Sequence, residues 1–448
     1  MKRRILQTTL LAILCAAAPL ALVQAGVVVE SFGLTTFDPQ ENLFTSIGRP
    51  TSPGLLAGVG AAEEWPVSIN LARLQTLPET VVLNLPGQES DTLIRLRAEP
   101  RAGNGYLWTG GGEGCSALLS AKPNQFRATI SCLSGNYGVE TTSSGPRLTR
   151  YVYEPAPLGA ENDVVLPAST PTSPNIPTNT ETHSLDGPAS LDTEIDVLVL
   201  YTANVRQALQ AVGIDATTYM QDTLAATQMA MDRSTSPGDA VIAELNLVHA
   251  QEVAHAESGQ FLDDLNYLRL DSIAVGLRNT YAADLVMLIR ESSPQPNQCG
   301  LAYGPGILTT PPPGPGFAPF AVAVTKRQCS FSAYPFQHEF GHLFGGNHNP
   351  EDNSNPTPLH PWAFAHWDNA PNPEDSARTL LSYQIQTCHG SCPQVLNYSN
   401  AAVTLTKPWN FRTGVMGQRE NALIIEEFAS ITAQYRSSLD RIFADGFE

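Results

Sequence analysis

An eleven-residue segment at positions 338–348, HEFGHLFGGNH, restricts what this chain can fold into more than any other feature. If the segment begins as a helix, His338 and His342 lie one turn apart on the same face and can direct their imidazoles at a common point. The glycine pair at 345–346 predicts the end of that helix, because glycine accepts the left-handed conformation of a helix C-terminus. The turn could then bring His348 to the same point. The segment predicts a metal site with three histidine ligands.

The ligand number indicates what such a site does. Three imidazoles leave the fourth position of a tetrahedral zinc ion open to water, which is typical of catalytic rather than structural sites. Glu339 follows the first histidine, and its carboxylate can reach that water without being a ligand itself. The alternative is an amphipathic helix with ordinary core histidines, but it would bury imidazoles and a carboxylate together without a cation, which is unfavourable. We therefore predict one catalytic zinc ion, with Glu339 as general base and acid.

Composition divides the rest of the chain. Residues 1–25 carry a basic start, an apolar stretch and a small-residue cleavage site, which predicts a signal peptide. Residues 26–153 hold short β-prone runs between Gly, Pro, Asn and Ser clusters, which predicts a β-rich domain. Residues 154–192 are rich in Pro, Ser and Thr and predict an exposed linker. Residues 193–439 alternate strand and helix patterns and predict an α/β (α+β) domain, followed by a short tail at 440–448.

Within the α/β domain, apolar runs predict strands and helical periodicity predicts helices. The predicted strands are 195–201, 243–248, 283–289 and 320–325, and the predicted helices are 216–233, 262–273 and 424–439.

Charge excludes two classes of partner. The chain has 43 acidic residues against 25 Lys and Arg, a net charge of −18. A protein of this charge repels polyphosphate and anionic lipid, so we expect neither a nucleic-acid nor a membrane partner. No apolar stretch beyond the signal peptide is long enough to span a membrane. We expect a secreted monomer, extracellular or in transit through the periplasm.

Cysteine usage agrees with export. Six cysteines follow the signal peptide, and an even number in an exported chain suggests disulfides. Sequence neighbourhood favours the pairs Cys115–Cys132, Cys299–Cys329 and Cys388–Cys392. A metal knuckle at the last pair is the alternative, although no second Cys/His pair has the spacing of a zinc finger.

The motif matches the HExxHxxGxxH signature and resembles that of the metzincin zinc metalloendopeptidases. Segments 195–201, 255–268 and 282–289 and the run CGLA at 299–302 are similar to the bacterial reprolysin-like branch, which includes the peptidyl-aspartate metalloendopeptidases. The similarity extends over about 193–438. It implies a twisted mixed sheet with long helices, and a zinc ion at the floor of a cleft between subdomains.

The resemblance also carries roles to individual residues. Zinc binding is carried to His338, His342 and His348, and catalysis to Glu339. An edge strand above the cleft would bind extended substrate through main-chain hydrogen bonds, and 317–325 is the candidate for it.

The sequence departs from the family pattern beneath the zinc. Leu381 stands where metzincins place the methionine of a tight turn, with Met416 as a rival, and leucine is close enough in volume that we expect only a small packing change. Tyr398 could stabilise the transition state, as a downstream tyrosine does in some metzincins, or it could be a packing residue. Glu351 and Asp352 could touch calcium, for which the sequence offers no further support.

A second departure follows the third histidine, where Asn349 replaces an Asp found in several branches; it bears on the subfamily and not on zinc binding. The amino-terminal domain, notably around 106–110, resembles the propeptides of secreted metalloproteases. We expect it to block the cleft until the linker is cut. An independent β-type binding module is the alternative.

These observations predict a secreted zinc endopeptidase, made as a zymogen, that acts on protein or peptide substrates. Two alternatives stay open. One is a catalytically silent binding protein on a metzincin scaffold, favoured only by Leu381, and the other is a zinc amidase acting on cell-wall peptides.

Overall fold

The computed structural model describes residues 42–46, 60–142, 144–152, 163–166, 193–239, 241–257, 259–292, 298–305, 314, 316–329, 334–352, 358–369, 376–383 and 392–436. All of them belong to one compact unit, Gln40–Glu448. The predicted signal peptide, most of the predicted linker and the short C-terminal tail lie outside the described residues.

The first part of the chain forms an antiparallel sheet in which we describe nine strands, in the order β1-β2-β9-β8-β7-β6-β5-β4-β3. The strands are β1 (Phe44–Ser46), β2 (Gly60–Ile69), β3 (Thr80–Leu83), β4 (Asp91–Arg101), β5 (Gly105–Gly111), β6 (Cys115–Lys122), β7 (Gln125–Cys132), β8 (Gly135–Thr142) and β9 (Gly145–Val152). A short helix, α1 (Leu71–Gln75), precedes β3. Cys115 and Cys132 lie opposite each other on β6 and β7 and form the predicted disulfide. The β-rich character of this region is confirmed.

The second part contains a mixed sheet whose described strands run in the order β10-β14-β15-β13-β11-β12. They are β10 (Val164–Val165), β11 (Glu194–Thr202), β12 (Glu244–Val253), β13 (Leu285–Arg290), β14 (Gly300–Tyr303) and β15 (Val322–Lys326). Only the pair β14·β15 is antiparallel among them. β11 and β13 are buried and apolar over almost their whole length, as interior parallel strands require. The predicted mixed α/β architecture is confirmed.

The predicted substrate-binding edge, 317–325, is wrong. β15 is an interior strand, hydrogen-bonded on one side to β13 and on the other to β14. An apolar run covered on both sides looks the same in sequence wherever it stands in the sheet, so the sequence could not give its position. The outermost described strand on this side of the sheet is β10, and β14 lies between it and β15.

Helices and two small hairpins complete the described structure. They are α2 (Ala203–Ala211), α3 (Ala216–Ser234), α4 (Phe261–Leu270), α5 (Ser272–Thr280), α6 (Pro335–His342) and α7 (Asn421–Thr432), the 3-10 turns Ala318–Phe320 and Arg327–Cys329, and the hairpins β16 (Trp367–Asn369) with β17 (Ser376–Arg378) and β18 (Thr404–Leu405) with β19 (Phe411–Arg412). No helix of the described residues is long and apolar enough to cross a membrane.

Two helix predictions needed correction. The helix predicted at 262–273 is two helices, because Asp271 is extended and its carboxylate accepts hydrogen bonds from the backbone of Ile273 and Ala274, which starts α5. The predicted C-terminal helix ends early, at Thr432. Beyond it, the Arg436 backbone N–H donates to Asp284, which draws the chain away from the helix axis.

α3 is covered on two sides. Its predicted apolar face is buried in the core of the mixed sheet, through Met220, Leu224 and Met231. The other side carries acids that pair with arginines of β4: Asp232 lies 2.7 Å from Arg97, and Asp222 pairs with Arg101. These ion pairs join the first sheet to the part of the chain that contains the mixed sheet. Apolar residues that recur every 3.6 positions identify the apolar face of a helix, but they do not indicate that its opposite face forms ion pairs with another element.

The second disulfide ties β14 to the turn after β15, through Cys299 and Cys329. Cys388 lies outside the described residues, so the third pairing stays a prediction.

His366, just before β16, gives the folded state a pH dependence. It is only 6% exposed and stacks on Phe411. Burial, with Arg419 adding to it, lowers the pKa of His366 from 6.5 to about 4. As the pH falls through this interval, the unfolded chain takes up a proton that the folded chain refuses. This group should therefore lower the free energy of unfolding by about 3 kcal/mol between about pH 7 and pH 4.

The variant His366→Phe keeps the ring and removes the titration. Urea unfolding of both proteins across this pH range measures the effect, and we expect the loss of stability on acidification to be smaller in the variant by about that amount. Parallel pH curves for the two proteins would contradict the assignment.

Candidate metal centre

α6 positions the first two histidines. Pro335 occupies its first helical position, where the missing N–H costs nothing. His338 and His342 follow one turn apart, with ring centroids 4.8 Å from each other. The helix ends at His342, and Gly345, at φ 92°, carries the chain through the left-handed turn that the sequence predicts. The structure thus places His348 beside the other two histidines.

The Nε2 atoms of the three histidines face one another. His348 Nε2 lies 3.1 Å from His342 Nε2 and 3.3 Å from His338 Nε2. Nitrogens bound tetrahedrally to zinc at about 2.0–2.1 Å would be about 3.3–3.4 Å apart. A fourth group, Asp163, places its carboxylate among them, with all four ligand atoms within 4.8 Å of one another. This cluster could hold a metal ion.

Each histidine donates a hydrogen bond from its Nδ1–H to an acceptor in the surrounding chain. The partners are Leu380 O for His338 at 2.8 Å, Gly346 O for His342 at 2.7 Å, and Asp352 Oδ2 for His348 at 2.6 Å. Carbonyl and carboxylate oxygens only accept, so the protons reside on Nδ1 and the Nε2 lone pairs point inwards. Three converging lone pairs and a carboxylate repel one another unless a proton or a metal ion lies between them. The donor set therefore fits zinc, with the outer hydrogen bonds that orient metal-binding imidazoles already in place.

Burial is the largest influence on the pKa values at this centre. Burial, reinforced by the charge of Asp163, raises the pKa of Glu339 well above its usual value. For Asp163 burial acts in the same direction, but the neighbouring histidines outweigh it and lower its pKa well below the usual value. Burial lowers the pKa of His342 well below normal. For His348 burial also lowers the pKa, yet Asp163 and Asp352 reverse this and raise it to about 9. The centre keeps one ionised carboxylate that attracts a cation.

Glu339 lies beside the cluster and fills the space over Gly300 of β14. A Cβ at Gly300 would lie 2.7 Å from Glu339 Cδ, closer than real atoms approach. Glu339 is 1% exposed, and its Oε2 accepts no hydrogen bond from the described residues. Gly300 thus provides the room that this carboxylate needs.

Substituting Gly300 with alanine should move the Glu339 carboxylate without touching the histidines. A displacement of about 1 Å can cost about 10²-fold in rate. For the zinc endopeptidase that the sequence predicts, we therefore expect kcat/KM for casein to fall by about that factor while metal content is unchanged. Gly276→Ala, at a helix position with open space around it, is the matched control and should have little effect. Equal activity of the two variants, or loss of the metal from Gly300→Ala, would contradict this positioning role.

A tight turn lies beneath the cluster, where the sequence analysis places it. The Ser382 backbone N–H donates to Thr379 O at 2.9 Å, with Leu380 and Leu381 between them. Leu381 packs against the histidine helix, and a Cβ at Gly341 would lie 2.6 Å from Leu381 Cδ1. Met416, the rival for this place, is 74% exposed, so its side chain is not buried beneath the cluster as Leu381 is.

Two predicted residues have other contacts. Tyr398 is fully buried and its hydroxyl donates to Gln337 O at 2.8 Å, which is the packing arrangement that the sequence left open. The Asp352 carboxylate accepts a hydrogen bond from His348 Nδ1, so it orients the imidazole of that histidine. Glu351 pairs with Arg419.

Two residues at the centre were missed by the sequence analysis. The Tyr383 ring lies tilted against that of His348, with centroids 4.3 Å apart. Its hydroxyl donates to Asp163, and Asn349 Oδ1 accepts from the Tyr383 backbone N–H at 2.9 Å. The sequence feature that could have indicated Tyr383 is its position two residues after Leu381. Asp163 begins DVVL, the one aliphatic run in the linker sequence, which is the signal that could have indicated a strand there.

The centre is of the metallopeptidase type, with three histidines, a neighbouring glutamate and a supporting turn. Residues 192–402 match the family described as Reprolysin_5, Metallo-peptidase family M12. This confirms the resemblance to the reprolysin-like metzincins for that segment. Members of this class act on proteins or peptides and typically use zinc, so the match and the histidine cluster together support a zinc peptidase.

No curated protein matches the chain. Solved structures similar to it include one described as a chaperone–substrate complex, at 16% identity over 71% of this chain and 43% of that one, with a TM-score of 0.39. Another is metalloproteinase-II from Bacteroides fragilis, at 12% identity over 74% of this chain and 92% of that one, with a TM-score of 0.42. The chain spans less than half the length of the first.

Proposed function

We propose that this protein is a secreted zinc endopeptidase, made as a zymogen. The observation that carries the proposal is the convergence of the Nε2 atoms of His338, His342 and His348, each oriented through its Nδ1–H, beside the buried carboxylate of Glu339.

In this proposal the three histidines hold the zinc ion, with Leu381 supporting their helix from below. When bound, zinc supplies a Lewis acid that polarises the scissile carbonyl and acidifies water. Glu339 takes the proton of the attacking water and delivers it to the leaving amine. Its burial over Gly300 suits this task, because a carboxylate with a raised pKa accepts a proton readily and still releases it.

Tyr383 is the better candidate than Tyr398 for stabilising negative charge on the substrate. Its hydroxyl already donates to Oδ2 of the Asp163 carboxylate, a negatively charged group within the histidine cluster. We propose that it donates in the same way to the oxygen of the scissile carbonyl as charge develops there. The Tyr398 hydroxyl is engaged with the backbone of the histidine helix.

Secretion and latency are supported by separate features. The two described disulfides, together with the predicted signal peptide, favour an oxidising compartment. The first sheet is joined to α3 by the ion pairs of Arg97 and Arg101, as expected of a propeptide domain that accompanies the folded enzyme. We propose a monomer with protein or peptide substrates.

Casein hydrolysis by secreted protein cut within 167–192 tests the function. Removing the metal with 1,10-phenanthroline should abolish hydrolysis, by at least about 10³-fold, since Lewis-acid stabilisation is worth several kcal/mol. One equivalent of zinc should restore it. One bound zinc per chain without hydrolysis of casein would contradict the proposal and favour the silent scaffold, or the amidase if a cell-wall peptide is hydrolysed instead.

A further inference from the structure

We propose that the first sheet stays bound to the rest of the protein after the linker is cut, and that it is a permanent support of the metal centre. The inference rests on the proposed function, in which the chain is cut within 167–192. It concerns the face of the first sheet that contacts α3 and the segment 394–396. The partner of that part of the protein is therefore the amino-terminal fragment of the same chain.

The first sheet is buried on both faces at its centre. Antiparallel sheets commonly pack one face on a core and leave the other face to water. Here six consecutive residues are buried in β5, at 105–110, and six in β6, at 116–121. Since neighbouring residues of a strand point to opposite faces, both faces of these strands are covered. Departure of the sheet would expose one of them, which opposes its release.

The two faces contribute to different cores. Trp108 and Leu119 belong to the core of the first sheet itself, whereas their neighbours Leu107 and Leu118 are buried in the core of the mixed sheet. Leu133, just after β7, is buried in a third cluster with four residues from beyond the histidines: Ala377, Val395, Leu405 and Phe411. Salt does not screen these apolar contacts, so they should hold the two fragments together at any ionic strength.

Buried charges on α3 add to this attachment. The Asp222 side chain is 4% exposed, pairs with Arg101 and lies 3.7 Å from Arg127, and both arginines belong to the first sheet. The Arg127 guanidinium also lies over the ring of Tyr219, 4.5 Å from its centroid. A carboxylate buried between two guanidinium groups is costly to leave without them. Departure of the sheet would therefore be opposed by these charges as well as by the apolar contacts.

The same face reaches the metal centre through Ser131 of β7. Its hydroxyl accepts from the backbone N–H of Leu396 at 3.0 Å and donates to Gln394 O at 3.3 Å. The side-chain amide of Gln394 donates to Leu380 O, the carbonyl that also accepts from His338 Nδ1 at 2.8 Å. Groups that orient a histidine ligand affect how tightly the metal is held. The first sheet thus supports the orientation of the first proposed ligand, with Ser131 and Gln394 as positioning residues.

The first test cuts the chain after it has folded. The full chain carries Glu339→Gln, which prevents self-cleavage, and a site for a specific protease inserted within 167–192. The cut protein passes through a size-exclusion column at about 1 µM, in about 0.15 M and about 1 M NaCl. We expect both fragments to elute together at the mass of the whole chain in both buffers. Elution of the carboxy-terminal fragment by itself at either salt concentration would overturn retention of the sheet.

The second test measures the support of the metal centre through zinc release. The cut protein is loaded with one zinc ion per chain, and transfer of the ion to 4-(2-pyridylazo)resorcinol is followed by absorbance. Ser131→Ala should accelerate release by about 10-fold, the lower end of the effect of outer partners on metal affinity. Gln394→Met removes the amide that contacts Leu380 O and should accelerate release at least as much, which guards against a folding defect in the first variant.

Ser120→Ala is the matched control, because it removes another buried serine hydroxyl of the first sheet, on β6. It should release zinc at the parent rate. Equal release from this control and from the Ser131→Ala and Gln394→Met proteins would overturn the support of the centre by the sheet.

The proposed function fails separately, in the protein with Glu339 intact. Fragments that stay together and keep zinc, but do not hydrolyse casein, would leave the inference standing and contradict the peptidase. If the full chain binds no zinc, the metal centre and its support are both wrong, whereas elution of the cut chain still decides whether the first sheet is retained.

Discussion

Substituting Glu339 with glutamine is expected to lower kcat/KM for casein by about 10²–10⁴-fold, the range for loss of a general acid–base group. Glutamine fills the same space over Gly300 but cannot take up a proton and release it. Because the proposed ligands are histidine Nε2 atoms oriented by other partners, zinc content should stay at one ion per chain. The measurement is steady-state hydrolysis by protein cut within 167–192, with zinc determined on the same samples.

Glu427→Gln is the matched control, since the carboxylate of Glu427, on α7, pairs with His360 away from the histidine cluster. It should leave kcat/KM within a few-fold of the wild type. A Glu339→Gln protein that retains zinc and full activity would remove Glu339 from the mechanism. Loss of zinc from this variant would instead make the carboxylate a ligand, in conflict with the geometry described above.

The histidine cluster could be predicted from sequence because its geometry is local. Residues four apart on one helix must share a face, and Gly345 can adopt a φ that few other residues accept. Eleven consecutive positions therefore determine where His338, His342 and His348 lie. The turn that carries Leu381 could be placed beneath them only through the resemblance, because it approaches from a distant part of the chain.

Asp163 could not be found in the same way. Its contact with the histidines spans more than 170 positions, and the composition around it predicts an unstructured linker. Four residues are too few to show a strand period. These residues form a strand because they pair with β14, and that pairing depends on the neighbouring strand and not on the sequence of the segment itself. The same reasoning explains the wrong edge strand at 317–325, since order within a sheet is a non-local property.

The role of Tyr398 was left open, and Tyr383 was missed, for a related reason. Tyr383 and Tyr398 both follow the turn, and sequence spacing does not tell which hydroxyl faces the cluster. The structure separates them through their partners, because one donates to Asp163 and the other to a helix carbonyl.

The buried pair of Arg290 and Asp264 should be costly to break from one side. The two side chains are 0% and 1% exposed. Besides Asp264, the guanidinium donates to three backbone carbonyls, at Glu257 (2.7 Å), Gly259 (3.1 Å) and Ser292 (2.6 Å). It therefore ties the end of β13 to the segment that precedes α4. No sequence pattern indicated this pairing.

Arg290→Met keeps the apolar stem and removes the charge, which leaves the Asp264 carboxylate buried with the His255 imidazole as its remaining side-chain partner in the described structure. The free energy of unfolding should fall by about 3–5 kcal/mol. Arg206→Met is the matched control, since its pair with Glu252 is about one-third exposed and should be worth no more than about 1 kcal/mol. Urea unfolding of both variants measures the difference.

A double variant separates the pair from its surroundings. Replacing Asp264 by leucine in the Arg290→Met protein removes the isolated charge, so it should recover part of the lost stability even though no ion pair remains. If Arg290→Met loses no more stability than Arg206→Met, water must reach the pair and its buried position is wrong. If the double variant is no more stable than the single one, the loss comes from the three unpaired carbonyls, and Arg290 acts as a clamp on the backbone more than as a counter-charge.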